Sequence, residues 1–200
     1  MRLPYCPVAV AVYPRNWLER ADGQPATDLD LAVLLVNSFD LLEDPPDRLT
    51  DLRWFTEALD DERHSDIARA LRPADLDGLR VLRDSLRSVF EADSPAAAAA
   101  ILNPMLGRAS AVPQLVVTNG KAELKVSPAD RGLQALAARL PAALAAQIAD
   151  AGVARLGTCA SDPCRCAFID RTRGRTRRYC CTMCNDRMAA RLYRERKRPA

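Results

Sequence analysis

From Asp28 to Leu42, apolar side chains fall at Leu31, Leu34, Leu35, Phe39 and Leu42, the three-and-four spacing of one helical face. The pattern stops before Pro45-Pro46, so a helix is expected to end there. Thr50 is placed to cap a second helix running to about Asp60, with Leu52, Phe55 and Leu59 inward. Pro73 suits the first turn of a long helix to about Glu91, carrying Leu76, Leu79, Val81, Leu82, Leu86, Val89 and Phe90. Ser94-Pro95 repeats that signal ahead of an alanine-rich helix to about Leu106.

Alternation replaces helical spacing in two places. Tyr5 to Tyr13 reads as a short strand, followed by a polar break over Ala21 to Thr27. Leu115 to Thr118 and Lys121 to Val126 flank Asn119-Gly120, which accepts the positive φ angles of a tight hairpin turn. Ser127-Pro128 then caps a helix to Leu140, and Pro141 is expected to kink or restart it before a last helix to about Leu156. The predicted fold class is mainly α (α+β): a helical N-terminal domain with a small β-hairpin, then a C-terminal finger.

Composition narrows the class. Hydrophobic residues at 48% and charged residues at 28% over 200 residues describe a globular chain able to bury a core. Apolar runs such as Leu31 to Val36 are far too short to span a bilayer, and Met1 to Val12 has no signal-peptide pattern, so a cytoplasmic location is expected.

Cysteine placement changes the picture most. Six of the seven cysteines lie between Cys159 and Cys184, and Cys6 stands alone at the other end. A disulfide framework would spread its bridges to close long loops, whereas this clustering reads as a metal site. Cys159-x4-Cys164 and Cys180-x3-Cys184 form two short-spaced pairs, the arrangement that brings four soft ligands round a tetrahedral structural Zn2+. Cys166 and Cys181 are surplus, and either is an alternative for one of the four; a Cys181/Cys184 pair has the commoner x2 spacing. Another metal, a cluster or redox thiols are the competing chemistries. His64, the only histidine, reads as an ordinary surface residue.

Charge is distributed as unevenly as cysteine. Arg171 to Arg198 holds eleven basic and two acidic residues, a local +9, so the remainder of a +3 chain sums to −6. Arg171, Arg173, Arg175, Arg177 and Arg178 lie between the cysteine pairs, where alternation with Thr around Gly174 suits a hairpin tip; Asp170 either orients one of them or caps the turn. Arg187, Arg191, Arg194 and Arg198 recur at spacings of four, three and four, one face of a helix. Guanidinium forks suit phosphates and guanine edges, so these nine arginines are the candidate nucleic-acid contacts, with DNA the expected partner. A solubilising tail, or one folding back on the acidic body, is the competing reading.

Catalysis finds little support. Four cysteines close a tetrahedral ion, and the chain has no Gly-rich phosphate loop, no nucleophile elbow and one histidine, so no enzyme is expected.

Cys159-x4-Cys164-x3-Phe168-x-Asp170-x-Thr172-Arg173, then Arg177-Arg178-Tyr179-Cys180-x3-Cys184-Asn185-Asp186-Arg187 and an Arg-rich helix, resemble the bacterial CGNR zinc finger. The signature here reads Cys-Asn-Asp-Arg, and Tyr179 stands where a Trp is common. Leu31 to Ser38 resembles the stretch that opens the ABATE domain preceding that finger, and makes Asn37 a candidate pocket residue. The resemblance implies a stress-associated transcriptional regulator: residues 1–154 an ABATE-like helical domain sensing a small-molecule effector, and residues 155–200 a zinc-ribbon or treble-clef-like finger, β-hairpin plus helix, on DNA. A homodimer is a further candidate state. The alternative is a zinc-stabilised protein- or RNA-interaction module without sequence-specific DNA binding.

Overall fold

The protein is described by a computed structural model over residues 27–59, 64–109, 112–118, 120–126 and 131–197. Tyr5–Tyr13, Cys6, Asp60 to Glu62, Asn119, Ser127-Pro128 and Arg198 lie outside the described residues.

Helix α1 (Asp28–Val36) begins with a reciprocal cap. Thr27 Oγ1 accepts the Asp30 N–H, and the Asp30 carboxylate accepts the Thr27 N–H at 2.9 Å. Such a box is worth about 1 kcal/mol and fixes where the helix starts. Leu31, Leu34 and Leu35 are buried as expected, but the helix ends at Val36, six residues before Leu42. Beyond it the chain turns, because Asp40 N–H and Arg48 N–H bond back to Pro46 O and Ser38 O.

Helices α2 (Arg53–Ala58) and α3 (Ser65–Ala70) are short. Thr50 does not cap α2: Leu52 occupies that position, and the Asp51 carboxylate accepts the Arg53 N–H at 2.8 Å. His64 is buried rather than exposed, its Nε2 lying 3.7 Å from Asp28 Oδ1 where α3 begins.

Helix α4 (Leu76–Phe90) follows a single 3-10 turn at Pro73–Asp75, and α5 (Pro95–Arg108) is capped by Ser94 Oγ on the Ala97 N–H. Strands β1 (Pro113–Thr118) and β2 (Lys121–Val126) pair antiparallel from Pro113↔Val126 to Thr118↔Lys121, with Gly120 at φ 76° in the turn. Leu115, Val117 and Leu124 of this hairpin face solvent. Helix α6 (Gly132–Ala151) runs unbroken through Pro141, one helix where two were expected.

The core forms where α1 lies on α4 and α6, with α5 and α3 also against α6. It continues into the C-terminal part. Strands β3 (Leu156–Thr158) and β4 (Ala167–Ile169) pair antiparallel and lie against α1 and α4, so Leu156, Ala167 and Ile169 belong to the same core as Leu31 and Leu86. The last element is α7 (Thr182–Arg196).

One side chain fastens the two parts. Asn37, the residue closing α1, donates from Nδ2 to Ala167 O at 2.9 Å and accepts the Ala167 N–H on Oδ1 at 2.7 Å. Its amide thus stands in for a third strand along β4. Beside it Arg87 of α4 donates to Val36 O, Phe39 O and Arg165 O. The candidate pocket residue is therefore a buried backbone clamp.

Asn37→Ala would leave both Ala167 backbone groups buried without partners, a loss of roughly 2–4 kcal/mol readable as a lower urea midpoint. Asn37→Asp should be worse than a simple loss of one bond, because it sets a carboxylate oxygen against Ala167 O. A second expectation concerns acid. Burial alone would raise Asp28, but the neighbouring His64 and the hydrogen-bonded Arg139 guanidinium outweigh it and hold the carboxyl at about 2. The folded value lies below the unfolded one, so this stabilisation is complete above about pH 4 and is lost as pH falls from there towards 2. Asp28→Asn should flatten the fall in Tm across that window.

Candidate metal centre

The β3–β4 hairpin carries the first cysteines at its tip. Gly157 is paired with Phe168, and a Cβ there would sit 2.7 Å from the Phe168 ring, so only glycine admits the ring across the pair. The loop beyond Thr158 is pinned by Cys159 N–H to Cys166 O at 2.9 Å and Cys164 N–H to Ser161 O at 2.8 Å. These bonds turn Cys159, Cys164, Cys166 and Phe168 into a second, smaller core.

The other pair comes from the start of α7. Cys180 precedes the helix, Cys181 occupies its N-cap position, and Cys184 lies fully buried in its first turn. A spacing of four along a chain entering a helix brings Cys180 and Cys184 together, with their sulfurs 3.6 Å apart. Cys164 and Cys180 sulfurs are 3.7 Å apart, and all four sulfurs of Cys159, Cys164, Cys180 and Cys184 lie within 4.8 Å of one another. A metal–sulfur bond of about 2.3 Å at the tetrahedral angle places sulfurs about 3.8 Å apart, so the donor set fits one thiophilic ion. Cys181, half-buried, is not in this group.

The surroundings favour negative sulfur. The N-terminal turn of α7 directs its backbone dipoles at the cluster. Cys180 N–H points at Cys159 Sγ from 3.4 Å, and Arg187 Nη2 approaches Cys184 Sγ at 3.5 Å. Among themselves the sulfurs share protons unevenly. The Cys164 contact raises Cys159, but Cys180 and Cys184 outweigh it and bring that thiol down to about 7. Contacts with Cys159 push Cys180 and Cys184 up. A divalent cation at their centre would take the place of those protons and make four buried cysteines one stable group.

Beyond the cysteines, Asp40 is 2% exposed and stands beside Cys164 and Cys166, with burial pushing its carboxyl above the usual range. Sequence reading passed over it, since nothing in the spacing of Asp40 and Cys164 links residues so far apart.

The arginine segment is a loop between β4 and α7, not a hairpin tip, because the hairpin lies upstream and β4 ends at Ile169. Asp170 is its anchor: the carboxylate accepts Thr172 N–H, Thr172 Oγ1–H and Arg177 N–H at 2.8, 2.6 and 3.0 Å. These bonds outweigh burial and lower its pKa. Asp170 thus caps a turn and does not orient a guanidinium.

The nine candidate arginines divide by what they touch. Arg171 pairs with Asp30 of α1 at 2.5 Å. Arg177 donates to Tyr179 O and Cys180 O and lies 5.0 Å over the Phe168 ring. Arg187 donates to Ser161 Oγ and Ser161 O at 2.8 and 2.9 Å, locking the hairpin tip onto α7. Arg173, Arg175 and Arg178 are exposed on the loop, Arg175 with φ 53°, and Arg178 lies 5.9 Å over Tyr179. Arg191 and Arg194 are exposed on α7, Arg191 paired with Glu195 at 3.0 Å. Arg198 lies outside the described residues.

A cleft of about 200 Å³ opens between α4, α5 and α6 and is lined by Val81, Leu82, Met105, Leu133 and Ala137, with Arg108 and Gln134 as polar members. No helix among the described residues is long and apolar enough to cross a membrane.

A family model named ABATE and described as "Putative stress-induced transcription regulator" matches residues 29–159. The chain belongs to the ABATE family. A second model, the CGNR zinc finger, matches residues 155–197, which span all four clustered cysteines. No curated protein matches the chain significantly. The two-part resemblance read from the sequence therefore holds: the ABATE portion supplies α1 to α6, and the metal-binding finger supplies β3, β4 and α7.

Cys184→Ser should abolish metal binding and unfold the finger, since a thiolate from α7 and the anchor of its first turn are lost together. Cys181→Ser should retain the ion. Elemental analysis of both purified proteins checks this, and a metal content in Cys184→Ser equal to that of the wild type would show that the ligand set is wrong.

Proposed function

We propose that the protein is a zinc-dependent, DNA-binding transcriptional regulator that docks through the exposed arginines of its finger. The observation that carries this is the loop Arg171 to Arg178: every residue of it is exposed, yet Asp170 and Arg155 hold its backbone in place. A loop whose backbone is already held loses little main-chain freedom when its exposed guanidinium groups meet a row of phosphates. Arg175 supports the reading further, since a left-handed backbone at a non-glycine residue is a strained position and no burial accounts for it here.

Zinc is the ion the donor set suits. Four thiolates on a tetrahedron, with no carboxylate or imidazole among them, select a soft ion without geometric preference. Such a site is closed, so the ion holds the finger together and the protein acts as a binder and not as a catalyst. Arg173, Arg175, Arg178, Arg191 and Arg194 are then the contacts with nucleic acid, while Arg177 and Arg187 keep the finger's shape and Arg171 ties it to α1. The cleft between α4, α5 and α6 is the place for a small, largely apolar effector.

Fluorescence anisotropy of the zinc-loaded chain on random duplex DNA and on single-stranded RNA, across a salt series, tests the reading. Duplex binding should weaken with a slope near −0.9 per phosphate contact in log affinity against log salt. Changing Arg173, Arg175, Arg191 and Arg194 together to Ala should reduce that slope by roughly 3–4 while leaving the metal in place. Preference for RNA would favour the RNA-interaction reading, and no binding to either polymer would turn the finger into a protein-docking module.

A further inference from the structure

Asp40 poses a problem that the four-cysteine site does not solve. Its Oδ1 accepts the Leu42 N–H at 3.0 Å, but its Oδ2 is fully buried with no N–H or O–H donor on it, and the polar side chain left to the carboxyl is the Cys166 thiol. An oxygen left so is expensive to bury, and one bearing negative charge more so. The cation nearest along the chain does not close the gap: Arg48 is ion-paired with Glu43 at 3.0 Å and, though its charge acts on Asp40, it makes no hydrogen bond to that oxygen. Arg87, close by, spends its guanidinium on three carbonyls.

What Asp40 does face is sulfur. A carboxylate oxygen of Asp40 and the Sγ atoms of Cys164 and Cys166 lie within 4.8 Å of one another, and all three residues are buried. Cys166 is a cysteine that the first site does not use. Two thiolates and a carboxylate form the kind of three-donor set that protein zinc sites draw on. We propose that Asp40, Cys164 and Cys166 hold a second thiophilic divalent ion, with Cys164 shared between the two ions as a bridging thiolate.

The chemistry balances. A thiolate sulfur bound to one metal keeps lone pairs for another, so Cys164 serves both without leaving the first site. On binding, Cys166 Sγ loses one proton to solvent and Asp40 contributes its carboxylate charge. Those two negative charges match the added dication, so the second ion adds no net charge to that of the first site. Three protein donors leave one coordination position for water or an exogenous ligand. The site also joins the two parts of the chain, because Asp40 comes from the loop after α1 and both cysteines from the finger.

The proposal rests on the reading of Cys159, Cys164, Cys180 and Cys184 as the first site, and its test separates the two. The full chain, stripped of metal under reducing conditions, is titrated with Co2+ alone and then with Zn2+, and bound ions are counted by native mass spectrometry. Wild type should saturate at two ions per chain, whereas Asp40→Asn and Cys166→Ser should each saturate at one. Asp40→Asn keeps an oxygen for the Leu42 N–H, so its fold, checked by circular dichroism, is retained even if Cys166→Ser is unstable. Two ions in Asp40→Asn would overturn the inference. One ion in wild type that is lost in Cys159→Ser would also overturn it while sustaining the first site, and no ion at all would sink both.

Discussion

The hydrogen-bonded pairing of Asn37 with Ala167 is the constraint on which the rest of the molecule depends. A three-residue strand pair has little stability alone, and β3–β4 acquires its own by being covered on both faces. Leu156, Ala167 and Ile169 turn to the helical core, while Phe168 and the cysteines form the smaller one. The Asn37 amide satisfies the one backbone pair on β4 that would otherwise be buried against α1 with nothing to bond. Because the strand is held in register there, the loop before it places Cys164 and Cys166 beside Asp40, and the loop after it begins at Asp170. Metal centre and arginine loop both inherit their positions from one side-chain amide.

How much of this could be read in the sequence depends on the range of the cause. Ser94, Asn119-Gly120 and the periodicity of α4 act on neighbours within a turn or two, and the corresponding elements lie where expected. The cysteine pairs were legible for the same reason, since each pair is set by local chain geometry and only their convergence is long-range. The end of α1 was not. Leu42 continues a helical pattern, but tertiary bonds from Arg87 to Val36 O and Phe39 O take the chain out of the helix first. Asn37 reads as a pocket residue and His64 as a surface one, and Asp40 goes unread, because their partners are Ala167, Asp28, and Cys164 and Cys166, all far away in sequence.

The arginines show the same limit from another side. A run of guanidinium groups reads as one surface when only charge and spacing are visible. In the fold, Arg171 pairs with Asp30 of α1 and Arg177 and Arg187 satisfy acceptors around the cysteines, whereas Arg173, Arg175 and Arg194 face solvent. Guanidinium suits both tasks, because five donors on a rigid plane can close a turn as well as grip a phosphate. Which task each arginine performs follows from whether an acceptor lies within reach, and that is a property of the folded backbone.

Helix α4 connects these features physically. Val81, Leu82 and Ser85 line the cleft shared with α5 and α6, while Arg80, Arg83 and Arg87, at spacings of three and four, bind the segment after α1. Arg80 holds Leu49 O, Arg83 holds Asp47, and Arg87 reaches the finger at Arg165 O. That segment carries Asn37 and Asp40, the residues that meet β4 and the cysteines. A ligand in the cleft can change how the finger is held only if it binds two positions of α4 with different affinity. The arginine row makes such a difference consequential, since a packed helix moves as a unit and takes its hydrogen-bonded loop with it. Coupling between body and finger therefore needs no flexible linker here; it needs α4 to have two positions relative to α1.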